Sequence, residues 1–432
     1  MNPQAEELNK VILEKNPVVF ELLSEKGKAI YFPKKGIVGQ AAQGKGKKIN
    51  ATAGEALDDE GKHIFFKSLK EQLNLSPLLA VPYTSNYGRP DIREKWSELL
   101  RIKNPSLGKK VFSLPVTTNA LTHGLSVCGY LFIDEGNEII ISNHFWDNYE
   151  LVFCNAYGAK LKKFNLFDNN KFDLASLENT LNEGGVGKRT LLLNFPNNPS
   201  GYTPTIEEMK SIADIIKRSA EKGNKIVVIL DDAYFGLVFE EGVEKESIFT
   251  QLIDASENIL VVKLDGPTKE DYVWGVRVGF ITFGIKGGDA DLYTVLEAKA
   301  AGVIRGNISS ASNLSQSLLM AVFNSPTYWD EKKEKYEILK SRYEKVKEVL
   351  QNEKYAKYFT PLPYNSGYFM CIELKQGIKA EDLRQKLLEK YDTGVIVIGE
   401  VVRIAFSAVS VALIPELFEN IYGACQELGV GN

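Results

Sequence analysis

The sequence predicts an α/β protein: a large unit on a mostly parallel, helix-covered sheet, beside a smaller, discontinuous α+β unit. Three observations predict it. Five short apolar runs recur between about residues 110 and 320: "NEIIIS" (137–142), "RTLLLNF" (189–195), "KIVVIL" (225–230), "NILVVK" (258–263) and "VGFITF" (278–283). Amphipathic stretches such as "TIEEMKSIADIIKRSAEKG" (205–223) lie between several of them. Strands that read as continuous apolar runs, joined by helices, belong to a sheet buried on both faces. The texture then changes after residue 326, where "TYWDEKKEKYEILKSRYEKVKEVLQNEKY" reads as a long, charged, solvated helix.

After that helix come "SGYFMCIEL" and "VVRIAFSAV", two strands of the smaller unit. The expected division is an N-terminal segment, 1–75, packing with the small unit; a large unit, 76–325; and a C-terminal small unit, 326–432. At 432 residues, 44% hydrophobic and 25% charged, the chain has the composition of an ordinary globular protein. Its formal net charge of −4 argues against nucleic acid as the partner. No run approaches the roughly 18 uninterrupted apolar residues that a bilayer span needs, and "MNPQAEELNKVILEKNP" has no apolar signal core. Cys128, Cys154, Cys371 and Cys425 show no CxxC spacing and read as reduced, mostly buried thiols. A cytoplasmic enzyme is expected.

Ligands of such sheets sit beyond the carboxyl ends of the strands. There the sequence places Trp146, Asn198, Asp231 with Tyr234, and Lys269. A carboxylate directly after the buried run "KIVVIL" calls for a cationic partner. Each of these has an ordinary reading when taken singly: a turn, a strand cap, a surface lysine. In this order they form a constellation, because Lys269 also lies eight residues before Arg277 at the mouth of the next strand. Two competing signals are weaker. "GQAAQGKG" (39–46) fits GxxxxGK but has Gly46 where a nucleotide-binding loop needs Ser or Thr, so a flexible basic loop is expected. His63, His123 and His144 are not spaced as metal ligands, and no metal is expected.

With these residues in view, the sequence from about 50 to 408 resembles the class I/II aminotransferases, the aspartate-aminotransferase-like enzymes of fold type I that use pyridoxal 5'-phosphate. The resemblance implies that Lys269 forms a Schiff base with the cofactor aldehyde and that Arg277 binds its phosphate. Asp231 would pair with the pyridine nitrogen, keeping the ring protonated. Tyr234 and Asn198 would donate to the ring's phenolic oxygen, and Trp146 would stack on its face. "VTTNALTHGLS" (116–126) resembles the phosphate loop that opens a helix, which assigns Thr118, Asn119 and Ala120 to the phosphate, with Thr268 beside them.

Tyr83, in "YTSNYGRPDIR", would reach the phosphate of a neighbouring subunit, implying a homodimer with shared sites. Arg403, in "VVRIAFS", would grip the substrate α-carboxylate, and "NATAG", ending at Gly54, would close over it. Arg305, in "IRGNISS", would hold a side-chain carboxylate across the dimer and so favour aspartate and glutamate. Two departures stand out: Gly266 replaces the usual serine three before the lysine, and Asn119 a common glycine. The expected function is a ping-pong transfer of an amino group between an L-amino acid and a 2-oxo acid. A lyase on the same cofactor, or a non-catalytic ligand-binding relative, is the alternative.

Overall fold

The computed structural model describes residues 1–33 and 36–429. Its centre is a seven-stranded sheet: β1 (Val116–Thr118), β2 (Glu138–Ser142), β3 (Lys160–Phe164), β4 (Lys188–Leu193), β5 (Lys225–Asp231), β6 (Ile259–Asp265) and β7 (Gly279–Gly284). Their spatial order is β1-β7-β6-β5-β4-β2-β3. Every pair is parallel except those made by β7, which runs antiparallel to β6 and to β1.

All five apolar runs are strands of this sheet. Successive residues of one strand enter different cores: Leu191 and Leu193 pack in one cluster and Leu192 in the other, as Val228 and Leu230 do against Ile229. Both faces are therefore covered, which is why these strands carry no polar alternation. The sequence did not signal β1 or β3. β1 has three residues, and β3, "KLKKF", is an edge strand whose lysines face solvent, so neither reads as an apolar run.

Among the helices, α1 (Ile37–Gly44) forms where a flexible loop was expected. Its last residue, Gly44, lies close to Thr52 and Gly394, so this glycine of "GQAAQGKG" serves close packing. α2 (Pro90–Lys103) stacks Trp96 on Phe280 of β7 with ring centroids 4.5 Å apart. α3 (Ala120–Phe132) follows β1 directly. α4 (Ile206–Glu221) begins with a capping box, Thr205 and Glu208 each satisfying the other's backbone, and buries Met209, Ile212, Ala213 and Ile216. α5 is Ala290–Asn307. α6 (Tyr328–Val349) is less solvated than its charge suggests: Leu339, Arg342, Tyr343 and Val346 form a buried stripe at helical spacing.

A second, antiparallel sheet contains β8 (Phe359–Pro361), β9 (Met370–Leu374), β10 (Ile396–Ile398) and β11 (Val401–Ile404), in the order β8-β9-β11-β10. β11 stops at Ile404, where a 3-10 turn begins two residues later, so only the first half of "VVRIAFSAV" is strand. The N-terminal segment touches both parts. Ile49 and Asn50 pair with Thr393 and Gly394, and Ala405 donates to the Ala51 carbonyl at 2.9 Å. Lys26, in contrast, donates to the carbonyl of Ala156, beside β3. The four cysteines are free thiols, three buried and Cys154 partly so.

Candidate active site

The ends of β5 and β6 bring Asp231 and Lys269 into one electrostatic environment. Asp231 is the last residue of β5 and pairs in register with Leu264. It is 3% exposed. Its Oδ2 accepts a 2.6 Å hydrogen bond from the Tyr149 hydroxyl, and its backbone carbonyl accepts from the Asn194 side chain at 2.7 Å. Its Oδ1 is buried and has no partner. Burial raises the Asp231 pKa, while the Tyr149 hydrogen bond and the Lys269 charge work against that rise.

Lys269 sits on a single helical turn, Pro267–Glu270, just past β6. Burial brings its amine down to about 8; Asp231 opposes that fall and Arg277 adds to it. The ammonium lies 5.3 Å from the Tyr234 ring centroid. Tyr234 itself is buried, edge-on to Tyr368 and Phe369, and burial raises its pKa.

Arg403 comes in from β11. One guanidinium nitrogen donates to Asn198 Oδ1 at 3.2 Å and another to the Thr52 carbonyl at 3.3 Å. The guanidinium lies 4.1 Å from the Phe369 ring, and its Nε is buried with no partner. Burial lowers its pKa. With the Asn198 carbonyl turned to Arg403, the NH₂ of that amide points the other way. Gly54 is exposed, two residues beyond Thr52, and a Cβ there would meet nothing within 4 Å. Trp146 is half-buried and packs edge-on against Tyr149 at 5.6 Å, so Trp146, Tyr149 and Asp231 touch in series.

The other end of the site is the start of α3. Ala120 has φ +62 and is buried. The Thr118 hydroxyl donates to the Ala120 carbonyl at 2.9 Å, and the Asn119 N–H donates to His123 Nδ1 at 3.1 Å. Thr268 is buried with an unpartnered hydroxyl. Arg277 is exposed, adopts φ +56 and donates to the Trp274 carbonyl at 3.2 Å. Packing accounts for Gly266. A Cβ there would lie 3.0 Å from Gly279 Cα and from the Val278 carbonyl, and one on Gly279 would lie 2.8 Å from the Ala120 carbonyl carbon. The two glycines let the Lys269 turn, β7 and the start of α3 approach one another, and a serine at 266 would push them apart.

Tyr83 and Arg305 have no contact with this cluster within the chain. Tyr83 is 94% exposed, and Arg305, in the last turn of α5, is exposed with a 2.9 Å hydrogen bond to Ser309. Their segments are neighbours, since Thr84 donates to the Ala311 carbonyl and Asn86 to that of Ser309. The sequence reading missed Tyr149, Asn194, Tyr368 and His123. The first three carry no signal in the linear order, because each acts through a partner that only the fold brings near; His123 lies one turn of α3 from Asn119 and is set apart only by its bond back to that N–H.

With the geometry in hand, the comparisons decide the family. The sequence profile described as "Aminotransferase class I and II" matches residues 46–421. The chain belongs to the class I and II aminotransferases. The aspartate aminotransferase of Escherichia coli is 26% identical over 64% of this chain and 69% of its own length. The aspartate aminotransferase of Sulfurisphaera tokodaii is 27% identical over 71% of each chain. Among solved structures, an aminotransferase from Anaerococcus prevotii superposes with a TM-score of 0.82 at 24% identity, covering 93% of this chain and 98% of that one. The Thermus thermophilus aspartate aminotransferase with maleate gives 0.73 at 17% identity, covering 93% and 99%. These structural likenesses establish the fold, fold type I.

This aminotransferase is a pyridoxal-phosphate-dependent transaminase, and its residues fit that group. The free Oδ1 of Asp231 is a buried acceptor in want of a charged N–H, which a protonated pyridine nitrogen supplies. The unpartnered Thr268 hydroxyl and the exposed Arg277, on either side of Lys269, are a donor and a cation suited to a phosphate. No helix among the described residues is long and apolar enough to cross a membrane.

Proposed function

We propose that this transaminase moves an amino group between an L-amino acid and a 2-oxo acid in two half-reactions, with Lys269 as the reacting amine. The carrying observation is the pairing at two adjacent strand ends: an amine held at about 8 beside a buried carboxylate with one free oxygen. Bound pyridoxal phosphate supplies an electron sink for the substrate's α-carbon. The protein residues do the rest.

Asp231 would hold the ring nitrogen in its protonated form, and Trp146 would cover one face of the ring. Tyr234 and the Asn198 NH₂ would donate to the phenolic oxygen. Arg403 exchanges its contacts with Asn198 and Thr52 for the two oxygens of the substrate α-carboxylate, a bidentate pair in a buried site, with Gly54 on the loop above. The Lys269 amine would take the α-proton of the bound amino acid as general base, and the resulting ammonium would hand that proton back as general acid. Thr118, Asn119, Ala120, Thr268 and Arg277 line the phosphate end. Ping-pong kinetics follow, because the first product leaves before the second substrate enters.

The preferred substrates in this reading are aspartate and glutamate. The aspartate aminotransferases among its relatives support it, as does Arg305, a cation that a second copy of the chain would present to the site. A homodimer with shared sites draws support from the apolar surface around Tyr83, where Leu73, Leu78 and Val81 are each more than two-thirds exposed. We take the protein to be cytoplasmic, with residues 1–75, 76–325 and 326–432 as its working divisions.

The visible absorption of the protein with pyridoxal phosphate tests this reading. A visible band in the wild type that is lost in Lys269→Ala, bleached by L-aspartate and restored by 2-oxoglutarate is the expected result. A band indifferent to aspartate but bleached by another amino acid removes the acidic-substrate reading. A wild-type band that survives in Lys269→Ala removes Lys269 as the amine.

A further inference from the structure

Helix α3 opens on a strained turn. Its first residue, Ala120, holds φ +62, a left-handed conformation that a residue with a Cβ keeps only where its neighbours impose it. Two side chains hold this turn. The Thr118 hydroxyl donates to the Ala120 carbonyl at 2.9 Å, and the Asn119 N–H donates to His123 Nδ1 at 3.1 Å. The turn abuts the backbone that leads to Lys269, since a Cβ on Gly279 would lie 2.8 Å from the Ala120 carbonyl carbon and one on Gly266 3.0 Å from Gly279 Cα. At the start of α4, the side chain that reaches back to the N-cap N–H is the carboxylate of Glu208. At the start of α3 an imidazole takes that role, and the first turn of α3 holds no acid. Because Nδ1 accepts, the ring carries its proton on Nε2. Burial lowers the His123 pKa below the usual histidine value, so the ring is neutral near neutral pH. Its Nε2 is buried with no partner. A buried donor left unpaired costs stability, so packing alone is a poor reason for a histidine here.

We propose that His123 is a positioning residue for the cofactor phosphate: it caps the Asn119–Ala120 turn with a neutral acceptor, where a carboxylate would repel the phosphate. The proposal rests on the reading of Thr118, Asn119 and Ala120 as the phosphate end of the site. The first N–H groups of a helix have no acceptor within it and attract an anion placed before them. An acid reaching back to the N-cap would satisfy one of those groups but set a negative charge beside the rest, against the charge of the ligand. The imidazole fixes the turn and leaves that charge out.

The test titrates the cofactor-free protein with pyridoxal phosphate, with pyridoxal, which lacks the phosphate, and with inorganic phosphate. Visible absorption reads the first two and thermal melting the third. His123→Asn keeps a neutral acceptor, its Oδ1 standing as many bonds from the backbone as the imidazole Nδ1, and binds all three within about twofold of the wild type. His123→Asp has the same shape with a charge added. It melts no lower than the asparagine variant, because an acid suits the start of a helix. Yet it binds pyridoxal phosphate and inorganic phosphate about tenfold or more weakly than that variant, and pyridoxal equally well. His123→Leu releases the Asn119 N–H and loses several-fold for the two phosphates, with pyridoxal unchanged. Equal phosphate affinities in the aspartate and asparagine variants overturn the need for a neutral cap. Wild-type affinities in the leucine variant overturn the positioning role. If the leucine variant does not fold, the aspartate and asparagine pair still decides. A wild type that binds pyridoxal phosphate no more tightly than pyridoxal overturns the reading of the phosphate end, and this proposal with it.

Discussion

Tyr149→Phe isolates one hydrogen bond. The substitution keeps the ring that packs against Trp146 and Phe153 and removes only the hydroxyl that donates to Asp231 at 2.6 Å. A hydrogen bond to a buried charged group is worth about 1.5–3 kcal/mol. At 1.36 kcal/mol per pH unit, its loss lifts the Asp231 pKa by about one to two units beyond the rise that burial already causes. The sign is fixed, because the Tyr149 bond favours the carboxylate form.

Two readouts follow. The acid limb of kcat/KM moves to higher pH by about that amount, since Asp231 must be ionised to hold the ring nitrogen protonated. In the cofactor-free protein, the folded Asp231 pKa already lies above the unfolded value, so stability falls as pH rises from the unfolded pKa to the folded one. Raising the folded pKa widens that window upward. A pH series of thermal melts on the cofactor-free variant reads it directly. A variant with wild-type melts across pH and an unmoved acid limb would refute the coupling between Tyr149 and Asp231.

Three further outcomes are expected. Arg403→Lys keeps the charge but loses the two-pronged geometry, so kcat/KM should fall by about 100-fold, equivalent to roughly 3 kcal/mol, with every amino acid tried; steady-state kinetics on an acidic and an aliphatic substrate would check that the loss is common to both. Gly266→Ser, despite restoring the serine usual in the family, should destabilise the fold by about 1–3 kcal/mol, because its Cβ meets the backbone of residues 278 and 279; a denaturant melt measures it. Arg305→Ala should raise KM for aspartate about tenfold or more while leaving an aliphatic amino acid unaffected, and equal effects on both would remove Arg305 from substrate recognition.

The linear sequence determined the parts of this protein whose chemistry is local. The buried strands announce themselves because a strand covered on both faces has no polar alternation to hide it, as "KIVVIL" and "NILVVK" show. Lys269, Asp231, Tyr234 and Arg277 were legible because they stand at strand ends or at fixed spacing along one stretch of chain. The tertiary structure decided the rest. The edge strand Lys160–Phe164 looks polar because solvent reaches it, and the helix Ile37–Gly44 forms where a loop was expected because it packs against Thr52 and Gly394. Tyr149 lies 82 residues from Asp231, Tyr368 lies 99 from Lys269, and Asn198 lies 205 from Arg403. A hydrogen bond reaches about 3 Å in space and has no period along the chain. Partners so far apart leave no pattern in the sequence, and only the packing of one element on another brings them together.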